Sequence, residues 1–128
     1  MKATLSNYRQ SPRKVTLVAN LIRGKSVKQA RQALTFLPKK SAPDIRKLLD
    51  SAVANARAEG AATDELVIKT LTVNKGKVLR RFMPKARGRA ARFHRTMSHV
   101  SLELAPASAK PAKKTARKKV TKKEAATA

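Results

Sequence analysis

Ile45, Leu48, Leu49, Ala52, Val53 and Ala56 fall at i, i+3, i+4, i+7, i+8 and i+11, the clearest amphipathic stripe in the chain. They predict a helix that opens at Ser41 with Asp44 as its caps, tolerates Pro43 in its first turn and stops at Gly60. Two shorter helices are predicted before it. Ser11 and Pro12 announce the first, because a serine hydroxyl can accept a free first-turn amide and proline at the first helical position loses no hydrogen bond. Val15, Val18, Leu21 and Ile22 give its apolar side, and Gly24 gives its stop. Ser26 with Gln29 forms a capping-box pattern for the second, which runs through Ala30, Ala33, Leu34 and Leu37 to a stop at Pro38. These stripes are core material, with no cofactor box among them.

The period then changes from helical to alternating. Residues 3–8 read as an edge strand. Leu66, Val67 and Ile68 begin a long β run in which Val67, Leu71 and Val73 share a face. Val100, Leu102 and Leu104 alternate with His99, Ser101 and Glu103. Between these runs lies KGKVLRRFMPKARGRAARFHR, where Pro84 and Gly88 turn the chain. The pattern predicts one long β-hairpin. If Val73 faces Leu102, a constant antiparallel register sets Arg80 opposite Arg95 and Phe82 opposite Phe93, unless Gly76 hosts a bulge. At about 3.3 Å per residue, the arm would reach roughly 25 Å from the body. The fold class is therefore α+β: three helices packed on a small three-stranded antiparallel sheet, with a long protruding hairpin arm at about 75–97.

Charge turns this arm from a curiosity into the centre of the molecule. The 128 residues include 31 Lys and Arg against 7 Asp and Glu, a net charge of +24. Nine of the bases lie within 75–95 without one acid: Lys75, Lys77, Arg80, Arg81, Lys85, Arg87, Arg89, Arg92 and Arg95. A charge run is ordinarily a solvated face, but so much like charge on so little apolar matter repels itself and calls for a polyanion. Like charges opposite each other also destabilise a sheet, so an Arg80–Arg95 pairing makes sense only with anions alongside. Arg9, Arg13 and Lys14 cluster where the first helix begins. Bases there oppose the helix dipole, a placement that suits gripping a phosphate. His94 belongs with the arm's contacts. Beyond Leu104 the composition shifts again: residues 105–128 hold eight bases, one acid and a single valine. That stretch is expected to be a disordered Lys/Ala-rich basic tail adding long-range attraction, and 1–104 the binding domain.

Other chemistries find little support. The acids are scattered, and His94 and His99 lie on opposite faces of one strand pattern without a carboxylate or cysteine beside them. No metal site, cofactor or catalytic residue is expected, and His99 is assigned a structural role at the hairpin base. There is no cysteine, no apolar window near 18 residues and no apolar leader at the N-terminus, which fits a cytoplasmic protein without a membrane partner. No spare apolar face suggests a homo-oligomer.

Five short blocks, SPRK at 11–14, LIRGKSV at 21–27, SAVANA at 51–56, RRFMPKARGRAAR at 80–92 and SH at 98–99, together resemble the bacterial large-subunit ribosomal protein L-twenty-two family. The likeness covers residues 3–104, with departures at Lys77, Ala91, His94 and Thr96. It implies three helices on a small antiparallel sheet with an extended hairpin, a body bound to large-subunit ribosomal RNA near the polypeptide exit, and neighbouring ribosomal proteins. It further implies that the tip, with Met83, Pro84, Lys85, Arg87, Gly88, Arg89 and Ala90, lines the exit tunnel and meets the nascent polypeptide. Family changes there alter macrolide susceptibility and nascent-chain stalling. The rival reading is an architectural DNA-binding protein whose β-arm enters the minor groove, with Met83 or Pro84 as a wedge.

Overall fold

In a computed structural model, described here for residues 1–62 and 66–106, three helices cover one face of a three-stranded antiparallel sheet. The order along the chain is β1 (Lys2–Tyr8), α1 (Pro12–Ile22), α2 (Val27–Thr35), α3 (Ala42–Ala58), β2 (Leu66–Pro84) and β3 (Ala90–Pro106). In the sheet β3 lies between β1 and β2, so β1 is an edge strand as its weak alternation suggests. The expected tail at 105–128 lies outside the described residues from 107 onward, as do residues 63–65 with Asp64 and Glu65. β3 itself runs to Pro106, past the boundary expected at Leu104.

The core is aliphatic throughout. Ile45, Leu48, Leu49, Ala52, Val53 and Ala56 of α3 are all buried where that helix packs on β1, α2 and β3, in one core with Val100, Leu102 and Leu104 of the central strand and Val15, Val18 and Ile22 of α1. Each large aliphatic side chain so removed from water contributes about 1.5–3 kcal/mol before the entropy of ordering is subtracted. On α1 the inward positions are Val15, Val18, Ala19 and Ile22, a strict i, i+3, i+4, i+7 set, and Leu21 falls off that stripe, 39% exposed. Along β2 the buried residues are Leu66, Ile68 and Leu71, so Val67 points away from the face that Leu71 and Val73 share. The irregularity between Ile68 and Thr70 adds a residue to β2 and exchanges its faces there.

The helix ends follow the expected chemistry at some points and not at others. Ser26 Oγ accepts the Gln29 amide at 3.4 Å. Ser11 is extended and Pro12 starts α1, but the serine hydroxyl makes no capping bond, and the Ser11 carbonyl receives the first amides instead. Ser41 is helical, buried and makes no side-chain cap. Asp44 is not a cap either, since its Oδ2 accepts the Tyr8 hydroxyl at 2.7 Å and ties β1 to α3. α2 ends at Thr35, earlier than Pro38 requires. Gly24 takes a φ of +71° and leads into a connection whose backbone bonds Ile68 from both sides, closing the outer edge of β2.

The hairpin register differs from the constant one expected. Leu71 pairs with Leu102 and Val73 with Val100; farther out, Arg80 pairs with His94, Arg81 with Phe93 and Phe82 with Arg92. Two things differ. At the base Val73 meets Val100 rather than Leu102, a shift of two places, and a second irregularity between Lys75 and Val78, again an extra residue on β2 with Gly76 inside it, restores one of them. β1 slips at the same level, between Leu5 and Tyr8, where Asn7 has a φ of 54°. Both neighbours of β3 therefore bulge around Ser98 and His99. His99 packs on Gly76 at the hairpin base, and its Nδ1 accepts the Asn7 amide at 3.2 Å.

Candidate nucleic-acid interface

Past this neck the hairpin has no core. From Lys75 to the tip and back to Met97 no residue is buried, and the strands are held by their ladder alone. The side chains of Lys75, Lys77, Arg80, Arg81, Lys85, Arg87, Arg89, Arg92, His94 and Arg95 are all exposed. The ion pairs Met1–Glu59, Lys2–Glu103 and Arg31–Asp50 all belong to the body. Among the described residues, the arm's cations have no carboxylate on the arm to answer them.

The observed register gives each face of the arm its own composition. Arg80, Phe82, Arg92 and His94 share one face, while Arg81, Phe93 and Arg95 share the other with Leu79. Arginine thus stands opposite phenylalanine, and the arginine–arginine pairing expected from a constant register does not occur. The Arg92 guanidinium lies 5.9 Å from the centre of the Phe82 ring, and that of Arg95 lies 5.8 Å from the centre of Phe93. Such contacts steady a guanidinium while leaving its N–H edge free for a phosphate. Sequence reasoning missed these pairs. The two phenylalanines were visible, and Phe93 and Arg95, two apart on one strand, share a face in any register, but one residue of register decides that Phe82 meets Arg92.

At the tip the Lys85 amide donates to the Arg89 carbonyl at 2.7 Å, closing the turn. Gly88 has a φ of +67°, as a turn glycine should, and Arg87 beside it is also left-handed at 57°. That conformation costs an arginine roughly 1 kcal/mol or more and presents its side chain outward at the end of the arm. Met83, Pro84 and Ala90 flank the turn and are exposed.

The second expected cluster lies at the start of α1. Arg9, Arg13 and Lys14 are exposed, and the first turn holds no acid. Arg9 reaches the arm: with Arg95, Leu79, Thr96 and Met97 it lines a hollow of about 40 Å³ at the neck. One cationic surface therefore runs from the helix entrance onto the hairpin. Arg23, by contrast, is spent on structure, its Nε donating to the Leu71 carbonyl at 2.8 Å. Among the described residues there is no group of three acids or histidines placed to hold a metal, and no helix is long and apolar enough to cross a membrane.

Comparison with known proteins gives the arrangement a lineage. Residues 3–105 match the family model described as Ribosomal protein L22p/L17e. Large ribosomal subunit protein uL22 of Pelobacter propionicus is 48% identical over 103 residues, 80% of this chain and 93% of its own length. The protein of the same name from Trichlorobacter lovleyi is 50% identical over 103 residues, 80% of this chain and 91% of that one. That of Herpetosiphon aurantiacus is 47% identical over 102 residues, covering 79% and 90%. A core laid down by three helices, and an arm that has none, are thus features of a chain that belongs to the ribosomal protein L22p/L17e family.

Proposed function

We propose that the arm and the helix entrance form one RNA-binding surface, by which this chain scaffolds large-subunit ribosomal RNA. As a member of its family the chain is a structural constituent of the large ribosomal subunit, not an enzyme, and works among neighbouring ribosomal proteins in the cytoplasm. The observation that carries the surface assignment is the run of exposed, unanswered cations on an arm without a buried residue. Such an arm, held by its ladder alone, gains further stabilising contacts by lying against an anion, and folded RNA supplies phosphates from strands distant in sequence. Arginines at Arg80, Arg81, Arg92 and Arg95 suit bidentate phosphate contact and stacking on bases. Lys75, Lys77 and His94 extend the surface along the strands, and Arg9, Arg13 and Lys14 extend it onto the body.

The tip has a different task in this reading. Met83, Pro84, Lys85, Arg87, Gly88, Arg89 and Ala90 line the polypeptide exit tunnel and meet the nascent chain, where shape and side-chain reach matter more than affinity. The basic stretch at 107–128 adds sequence-independent attraction.

The test separates these roles. Replacing Arg80, Arg81 and Arg92 by alanine should weaken binding to large-subunit ribosomal RNA and reduce the salt slope by roughly 0.7–0.9 for each phosphate no longer neutralised. Deleting the tip should leave binding of the isolated RNA near the parent value and instead change nascent-chain passage in assembled ribosomes. Equal loss of RNA affinity in the two variants would defeat the division. Duplex DNA of equal length, holding on at salt concentrations that release the RNA, would mark the arm as a DNA clamp.

A further inference from the structure

Among the described residues, Phe36 is the one aromatic side chain that the fold places on the body with nothing over it. The inward stripe of α2 is Val27, Ala30 and Leu34. Phe36, two residues past Leu34 at about 100° each, is turned roughly to the opposite side of the helix. It is 84% exposed, more than Leu17, Phe82, Met83 or Leu21. The chain that follows is held tightly. The Lys39 amide donates to the Leu37 carbonyl at 2.8 Å and the Ala42 amide to the Lys39 carbonyl at 2.9 Å, so exposed Lys39 and Lys40 are carried on a fixed turn beside the ring's own segment.

Arg46 of α3 reaches back across this junction, its Nη1 donating to Thr35 Oγ1 at 3.4 Å. Alongside runs an open groove of about 460 Å³, lined by Leu34, Thr35, Leu37, Arg46, Lys47 and Asp50. Its one acid, Asp50, is neutralised by Arg31 at 2.6 Å. Phe36 itself stands outside this groove, but it is an exposed aromatic with Lys39 and Lys40 on the turn that follows it and Arg46 bonded to the residue before it, which fits a ligand with a flat face and negative charge. An apolar protein segment would have to desolvate the cations to reach the ring.

We propose that Phe36 is a stacking platform for an unpaired nucleotide of large-subunit ribosomal RNA, with Lys39, Lys40 and Arg46 on the adjoining phosphates. Bases splayed from a helix stack on aromatic side chains in this way, and the aromatic face accepts any base. The site lies apart from the arm and rests on the reading that the chain binds ribosomal RNA.

The full chain and its Phe36→Leu, Phe36→Tyr and Lys39→Ala/Lys40→Ala variants, titrated with large-subunit ribosomal RNA across a salt series and probed by base methylation, test it. Phe36→Leu should weaken binding about tenfold with an unchanged salt slope and expose one unpaired base to methylation. Phe36→Tyr should behave as the parent, and the lysine pair should lower the slope by roughly 0.7 for each phosphate no longer neutralised. Because Phe36 is exposed, thermal midpoints should match throughout. Parental affinity and protection in Phe36→Leu, or equal weakening in Phe36→Tyr, overturns the proposal. So does a Phe36→Leu chain that binds RNA normally but loses a neighbouring ribosomal protein during subunit reconstitution. Failure of the arm reading has a separate signature, since there the Arg80, Arg81 and Arg92 variant binds as the parent whatever Phe36 does.

Discussion

Asp44 shows how a residue read as a helix cap acquires another role in the folded chain. It stands in the first turn of α3, where a carboxylate suits the helix dipole, yet its Oδ2 is the acceptor for Tyr8. Burial first, and then the hydrogen bond and charge of Asp44, push the Tyr8 phenol well above its usual value. The folded chain therefore keeps a proton that the unfolded chain releases near pH 10. The bond's contribution is complete below that pH and declines as pH rises through it, because the folded state then binds more protons than the unfolded one. Tyr8→Phe should cost about 1 kcal/mol at neutral pH. The difference between variant and parent in urea midpoint should shrink as pH is raised from 8 past 10; an unchanged difference would show that the bond does not control the titration. Lys2 and Glu103, direct cross-strand partners 2.9 Å apart, shift each other's ionisation upward and downward through their hydrogen bond, but both are exposed and serve register more than stability. No pattern of apolar and polar positions contains the Tyr8–Asp44 contact, because the two residues belong to elements that meet only after α3 docks.

Among the elements, the hairpin neck is the most exacting. A Cβ added at Gly76 would stand 3.0 Å from Nε2 of His99 and 3.3 Å from the Met97 carbonyl carbon. Gly76→Ala should therefore destabilise the chain by about 1–3 kcal/mol. Combining it with His99→Ala should recover part of that loss, since the backbone contact remains, and melting curves of the two variants read this directly. If Gly76→Ala melts as the parent does, the bulge is looser than the packing requires. Ser98, fully buried between the two bulges, carries a hydroxyl without a partner. Ser98→Ala removes that unsatisfied group and should raise stability by about 1 kcal/mol, a gain visible as a higher urea midpoint. The helices were legible because a 3.6-residue period is a local property, and Ser26, Gly24 and Gly60 punctuate it. The neck was not, because a bulge is decided by what lies on the neighbouring strand. Gly76 marked the place, but Asn7 and His99, distant in sequence, made the second bulge and its seal.

At the scale of the whole molecule, a net charge of +24 opposes the compact state by self-repulsion. Without RNA, the thermal midpoint should rise from about 0.01 M to about 0.15 M salt, as the screening length falls from roughly 30 to 8 Å. A flat or falling midpoint would mean that the arm already holds its charges far enough apart. Hydrogen exchange should divide the same strands in two. Amides near Leu71 and Leu102, over the core, should exchange slowly. Those paired between Val78 and Thr96 should exchange fast in the free chain and slow on binding RNA. Uniform protection along the hairpin would contradict an arm held by its ladder alone.

By itself the sequence determined three helices, an aliphatic core, and a cationic hairpin that cannot bury itself, because period and charge are properties of consecutive residues. Only the tertiary structure decided which residues face each other across that hairpin. Each extra residue on β2 displaces everything beyond it by one place, and a displacement of one place exchanges an arginine opposite an arginine for an arginine over a phenylalanine. Arg9 likewise became part of the arm's surface only when β1 was laid beside β3 and brought it to the neck.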